Sequence, residues 1–460
     1  MRRAVAILPP LLAAVCAFAR PQPGIGVFVN GEEIPYRDGG LSPQTGVYYS
    51  KSQDMFFIQP SDAATPIVLS GRNVEDNISF MVIAPATIRF ENFDLRTSVT
   101  NRSPFIVEDG AVVTLVLSGE NRLEAGPGAA GLRMLDYCRL TITNAPGEEA
   151  ASLVAVGGSG GAGIGTDTAP EKPYSLSLCG GIVDARGGAG AAGIGKGTAG
   201  RLDELNVNGG TAWARGGGSA LDFSSGFENE LGHQFIRGGS FDVARYGFQP
   251  SGANYQNVYP VVVRDDDWQA GDPVSVAVES SVAGFTYATN GIFVGPDGAI
   301  HLWLPKGTHA LTVDGVDAEA VLNYSTTSLD LNISTPKISF ADWCARFGLE
   351  PREDAVTDGE PNILRYVFGR RCGPLPMPML DPAPKYPTAV MPPRKHTYPK
   401  SELALVGVTD LTYPAYKWED FDEAPDAPDR WVWSGPGYPK SLFVRYRIEY
   451  KKDQQQEESP

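Results

Sequence analysis

The chain is poor in the residues that most site chemistries need. Histidine occurs only at His233, His301, His309 and His396, positions too scattered to form the closely spaced ligands of a zinc centre. The five cysteines fit no zinc spacing either. Charged residues make up only 20% of the chain, and 54 acids against 38 bases leave a net charge of −16. That balance excludes nucleic acid as the expected partner, because phosphate recognition wants a basic patch. No run approaches 18 apolar residues, so no spanning helix is expected. Helical periodicity is missing except near residue 340. The glycine-rich runs lack the Lys-Ser/Thr pair of a phosphate loop and open no helix.

Glycine (53) and proline (37) are abundant instead, which favours turn-rich β architecture. The glycines are organised. Ser152 to Gly165 is a short apolar strand followed by a glycine-rich corner, and Gly181 to Gly195 nearly repeats it. Downstream the repeat keeps a step of 29 residues. Val154, Val183, Ala212 and Phe241 then share one apolar column, and Val156, Ala185, Ala214 and Val243 another. The column between holds Ala155, Asp184, Trp213 and Asp242. Alternation of this kind marks a strand with one buried face. The pairs Gly180-Gly181, Gly209-Gly210 and Gly238-Gly239 precede the later strands, and Leu178, Val207 and Ile236 precede the pairs. One unit is therefore strand, glycine bend, strand, glycine corner, which suits one turn of a parallel β-helix. Ankyrin and tetratricopeptide units would need helices, and a propeller blade about 40 residues. The Ala-Gly-Ile-Gly corners at Ala162 and Ala192 lie 30 apart, so one corner takes an extra residue.

The runs Gly157–Gly165 and Gly187–Gly195, with Asn208-Gly209-Gly210-Thr211-Ala212, resemble bacterial secreted β-helix proteins of the carbohydrate-binding type. The resemblance covers residues 88–263. It implies a right-handed parallel β-helix followed by a small antiparallel β-sandwich. The segment Asp297-Gly298, Leu302-Trp303-Leu304-Pro305, Gly307-Thr308-His309 and Thr312-Val313 matches the run typical of that sandwich. Phe340, Trp343, Asp358-Gly359, Asn362, Tyr366 and Gly369 resemble a C-terminal module of secreted proteins from verrucomicrobial and related bacteria. The acidic loop of that module would suit calcium, but Val356 stands where an acid is expected. No other cofactor is expected, and no metal ligand is assigned.

The expected organisation is all-β with one short helical module. Residues 1–19 read as a secretory signal, with Met1-Arg2-Arg3, an apolar core and Ala17-Phe18-Ala19 as cleavage site. Cys16 raises a lipoprotein alternative, but Val15 fits it poorly. Then follow an N-terminal cap (20–72), the β-helix (73–258), the sandwich (259–321) and a linker (322–336). A helical module (337–372), a β region (373–450) and a polar, disordered tail (451–460) complete the chain. In the sandwich, Asn290-Gly291 and Pro296-Asp297-Gly298 are hairpin signals. Cys344 and Cys372 flank the helical unit and could pair in an oxidising compartment. Cys138 and Cys179 lie on strand-like segments, where buried free thiols are as reasonable.

Candidate site residues fall on the mixed column and beside it. Glycosidases use two carboxyls facing one groove. Asp184 and Asp242 share a column but stand two rungs apart, roughly 9.6 Å by strand spacing, with Trp213 between them. Arg186 and Arg215 stack one rung apart and could grip a uronate carboxylate, or form an ion-pair strip. Trp213 could stack on a sugar face, or lie under a neighbouring loop. Asp265-Asp266-Asp267 is the densest acid run and could bind calcium, but reads rather as a turn between domains, and His301 and His309 as solvated strand residues. The function expected is a secreted or cell-surface, non-catalytic, monomeric protein whose partner is polysaccharide or a surface glycan. A β-helix polysaccharide lyase or glycoside hydrolase, and a structural stalk, are the alternatives.

Overall fold

The structure is a computed structural model. It describes residues 26–33, 46–50, 52–75, 77–169, 175–224, 234–246, 250–266 and 268–334, plus Ala341, Cys344 and short strands between 356 and 450. The expected signal, the tail and most of the helical module lie outside the described residues. The chain divides into two units, Met1–Thr335 and Pro336–Pro460.

The first unit is built on a parallel β-solenoid of about five turns. Each coil lays down three strands. The first face carries Glu120–Glu124, Ser152–Val156, Ile182–Ala189, Thr211–Gly217 and Ser240–Asp242, paired in parallel. The second carries Phe80–Val82, Phe105–Val107, Leu132–Met134, Ile164–Gly165, Ile194–Gly195 and Phe223–Ser224. The third carries Val112–Ser118, Arg139–Asn144, Ser175–Leu178, Glu204–Val207 and Gln234–Ile236. Ala86–Arg96 serves two faces at once. Its first half pairs with Val112–Ser118 and its last residues with Glu120–Glu124.

Inward side chains stack into ladders because neighbouring strands lie about 4.8 Å apart in register. Phe56, Phe80, Phe105, Leu132, Ile164, Ile194 and Phe223 form one such ladder along the second face. All are at most 2% exposed, so each large side chain contributes on the order of 1.5–3 kcal/mol of burial. The early coils are filled by rings, with Phe56 and Phe80 stacked at 5.3 Å and Phe90 edge-on to Phe105 at 5.0 Å. The glycine-rich coils are filled by aliphatics such as Leu153, Val183, Ile164 and Ile194, with Ala155, Ala185 and Ala214 beside them.

The register corrects one detail of the sequence alignment. Leu153, not Val154, pairs with Val183, while Val183, Ala212 and Phe241 pair as expected. Val154 instead lies in the outward column with Asp184, Trp213 and Asp242, and Ala155 points inward. The step across that coil is 30 residues on the first face and on the second, where Ile164 pairs with Ile194.

Close backbone approach explains the corners between the first and second faces. Gly126, Gly158, Gly188 and Gly217 stack there. A methyl group on Gly188 would lie 1.8 Å from the Gly158 carbonyl oxygen, and one on Gly158 1.9 Å from that of Gly126. No side chain fits such a gap.

Antiparallel strands close the N-terminal edges. Val47–Ser50 pairs with Met55–Ile58, which starts the second face, and Val27–Val29 pairs with Ile67–Asn73. Covered edges do not template further pairing.

After the solenoid come two small sheets. One contains Ala299–Pro305, Val258–Asp265 and Leu329–Ile333, and the other Tyr287–Phe293, Pro273–Ser280, Gly307–Val313 and Val316–Leu322. Val261, Val263, Val276, Ile300, Leu302 and Val313 belong to their shared core. Leu329–Ile333 falls in the stretch expected to be a linker, yet it pairs in parallel with Val258–Asp265. The Pro296-Asp297-Gly298 turn is present, with Gly298 at φ +76°. Asn290-Gly291 is not a hairpin turn. It sits inside Tyr287–Phe293, opposite an irregularity between Val274 and Val276, where a glycine accommodates a bulge.

In the second unit, Ala341 and Cys344 are helical, and Val356–Thr357 pairs with Glu360–Pro361. Ser401–Val408, Glu419–Ala424, Ala427–Trp433 and Phe443–Tyr450 lie in one sheet. Cys138, Cys179 and Cys344 are free thiols, and Cys372 lies outside the described residues. Burial pushes the Cys138 thiol up to about 12. Cys179 is exposed, contrary to the expectation of a buried thiol.

Candidate functional site

Alternation along the first face sends every second side chain outward, and register aligns these into two columns. One runs Asp94, Arg122, Val154, Asp184, Trp213, Asp242. The other runs Arg96, Glu124, Val156, Arg186, Arg215. Opposite charges sit two residues apart on the same strand, so they pair across the columns. Arg96 reaches Asp94 at 2.8 Å, Arg122 reaches Glu124 at 2.7 Å, and Arg186 reaches Asp184 at 2.6 Å. The last is bidentate, with Arg186 Nε also donating to Asp184 Oδ1 at 3.1 Å. That hydrogen bond holds the Arg186 guanidinium above its ordinary value. Arg186 and Arg215 do stack in register, and both are ion-paired.

The upper end of the column is covered. The strand Ala299–Pro305 packs on Ser240–Asp242. The Ser240 hydroxyl accepts the His301 amide at 2.9 Å, and the Trp303 indole N–H donates to the Phe241 carbonyl at 2.8 Å. Tyr246 meets the Trp303 ring edge-on at 5.3 Å. Thr211 Oγ1 accepts the Phe293 amide at 2.8 Å. These bonds seat the small sheets against the last coils.

Covering has two consequences for the expected site residues. Trp213 lies partly under the turn at Gly295, where a methyl group would come 3.2 Å from its Nε1. Its indole N–H is buried with no partner among the described residues. Asp242 is buried at 4% exposure rather than solvated. Arg186 and Arg215 stay open to solvent, with side chains 55% and 40% exposed, and Asp184 is partly screened at 13%.

The same covering assembles a cluster that the sequence did not announce. Asp242 accepts a charged hydrogen bond from Arg215 through Oδ2. Its Oδ1 lies 3.7 Å from His301 Nε2, which is 3.1 Å from Asp297 Oδ2. Arg264 pairs with the same Asp297 oxygen at 3.2 Å and donates to the Asp297 carbonyl at 2.8 Å. The His301 hydrogen bond, its charge and Arg264 outweigh burial and hold the Asp297 carboxyl down to about 2. Burial works against the charge on Arg215, and Asp242 more than offsets it. His301 is therefore not a solvated strand histidine, since its side chain is only 12% exposed between two acids. His309 is fully buried. Its Nε2 donates to the Pro305 carbonyl at 2.9 Å, and burial lowers its basicity.

Asp265 ends its strand and is buried, and Trp268 follows it into the core of the small sheets. The triple-aspartate run therefore begins in a strand and turns at Asp266 inside this two-sheet domain rather than between domains, and Asp267 lies outside the described residues. The calcium reading of residues 354–360 also falls largely outside them.

No protein-family model, curated protein or solved structure matches the chain. Among the described residues, no helix is long and apolar enough to cross a membrane. The class that fold and site define is thus a parallel β-solenoid with an appended two-sheet domain.

Proposed function

We propose that this chain is a secreted or cell-surface protein that binds polysaccharide on the first face of its solenoid without cleaving it. One observation carries the reading. The outward columns place charged groups on four of the five rungs from Asp94 to Arg215, the middle rung carrying Val154 and Val156. A row of rungs at constant spacing suits a regular polymer, and guanidinium groups suit sugar carboxylates. The glycine-corner resemblance to carbohydrate-binding β-helices points the same way. The non-catalytic part rests on geometry. Asp184 is held bidentately by Arg186, and Asp242 lies under a strand, so the two acids do not face one groove as a glycosidase pair must.

The alternative is a polysaccharide lyase or glycoside hydrolase. It is favoured by the His301–Asp297 pair beside Arg215, since histidine is the commonest general base. Incubating the purified protein with pectic, cellulosic and host glycans separates the readings. Retention on a glycan without reducing ends or 4,5-unsaturated products is expected, weakened by Arg186→Ala. Turnover would replace the binder with the enzyme, and neither retention nor turnover would leave a structural stalk.

A further inference from the structure

The seam between the solenoid and the small sheets brings together three side chains of metal-ligand type. Asp242 comes from the last first-face strand, His301 from the strand packed on it, and Asp297 from the turn before that strand. One ligand atom from each lies within 4.8 Å of the other two. Two of those separations are 3.1 Å and 3.7 Å. In a tetrahedral zinc site with bonds of about 2.0–2.2 Å, ligand atoms lie roughly 3.3–3.6 Å apart. These two values lie within a few tenths of an ångström of that edge, and the third, between Asp242 and Asp297, is at most 4.8 Å.

The surroundings support the same assignment. Arg215 takes Oδ2 of Asp242 and leaves Oδ1 turned toward His301, the kind of outer hydrogen bond that orients a metal carboxylate. Asp297 Oδ1 accepts the Ala299 amide at 3.2 Å, which fixes the second carboxylate. Gly295 keeps the space in front of the cluster bare. A methyl group there would stand 2.9 Å from Asp297 Oδ1 and 3.2 Å from Trp213 Nε1. Asp297 is one-third exposed, so the cluster has a path to solvent.

We propose that Asp242, Asp297 and His301 form a zinc site that ties the small sheets to the end of the solenoid. An imidazole donor and only three protein ligands select zinc over calcium or magnesium, which take six or more oxygens. Arg215 on Asp242, and Arg264 on the same Asp297 oxygen that faces His301, already neutralise part of the carboxylate charge and weaken the affinity. The site does not depend on whether the chain binds glycans.

The test is titration of the full, tag-free chain with zinc chloride and with calcium chloride, followed by calorimetry and thermal melting. One zinc per chain is expected, with a raised melting temperature and no matching response to calcium. His301→Gln and Asp297→Asn should each weaken zinc binding roughly tenfold or more. Asp297→Asn alters a part-exposed turn residue, and circular dichroism verifies that both variants fold. Absence of zinc binding to the wild type would overturn the proposal. So would binding that either folded variant leaves unchanged, because the ion would then sit elsewhere.

Discussion

Asp222 shows how a single carboxylate is made to hold a corner. It is 1% exposed and accepts hydrogen bonds from the amides of Gly216 at 2.9 Å and of Ala244 and Arg245 at 3.0 Å. The Arg245 side chain pairs with it at 2.8 Å. Burial alone would raise its pKa, but the Gly216 amide and Arg245 outweigh burial and leave it below the ordinary 3.8. A depressed carboxyl binds fewer protons in the folded than in the unfolded chain, so its contribution is complete above the ordinary value. It is lost as pH falls below that value. Asp222→Asn should therefore cost about 3 kcal/mol at neutral pH and flatten the acid limb of stability. Denaturant unfolding from neutral pH to about pH 2 tests this, and parallel curves for the two proteins would contradict it. The exposed Arg186–Asp184 pair is a contrast, since more than half of Arg186 faces water. Asp184→Asn should cost under about 1 kcal/mol by the same measurement.

Glycine at the solenoid corners does two separable jobs, and the element scale distinguishes them. Gly188 sits where two coils touch, and a methyl group there would meet the Gly158 backbone. Gly110 has φ +70° with nothing near its missing side chain. Gly188→Ala should cost about 3 kcal/mol through overpacking, and Gly110→Ala about 1–2 kcal/mol through backbone strain alone. Equal losses in urea unfolding would refute the stacked-corner account. The glycine periodicity made the solenoid legible from sequence, because close approach leaves only one residue type available. The face of Ser152–Val156 was not legible. Leu153, Val154, Ala155 and Val156 are all apolar, so alternation could not choose between them. The 30-residue spacing of Ala162 and Ala192 was the available signal, and it applies to the first and second faces of that coil, while the third steps 29.

At the scale of the molecule, a solenoid is a stack in which each coil touches only its neighbours, so its end depends on what covers it. Here the cover is Ala299–Pro305, with Trp303 bonded to the Phe241 carbonyl and packed against Tyr246. Trp303→Ala should cost about 3–5 kcal/mol and speed amide exchange first in residues 240–246. Uniform acceleration throughout the solenoid would argue against a local cap. The strands of the small sheets were readable from alternation and turn residues, but the seam was not. Ser240 and His301 lie 61 residues apart, and no periodicity links them. The burial of Asp242, the covering of Trp213 and the meeting of His301 with two acids all follow from that one docking.

The stacking register itself is most directly tested by engineered disulfides in a Cys179→Ser, Cys372→Ser background. Val154 and Asp184 are outward partners on adjacent rungs, whereas Val183 points into the core beside Leu153. Val154→Cys with Asp184→Cys should cross-link readily under mild oxidation, and Val154→Cys with Val183→Cys should not. Cross-linking of the second pair in place of the first would contradict the fold and the site placed on it.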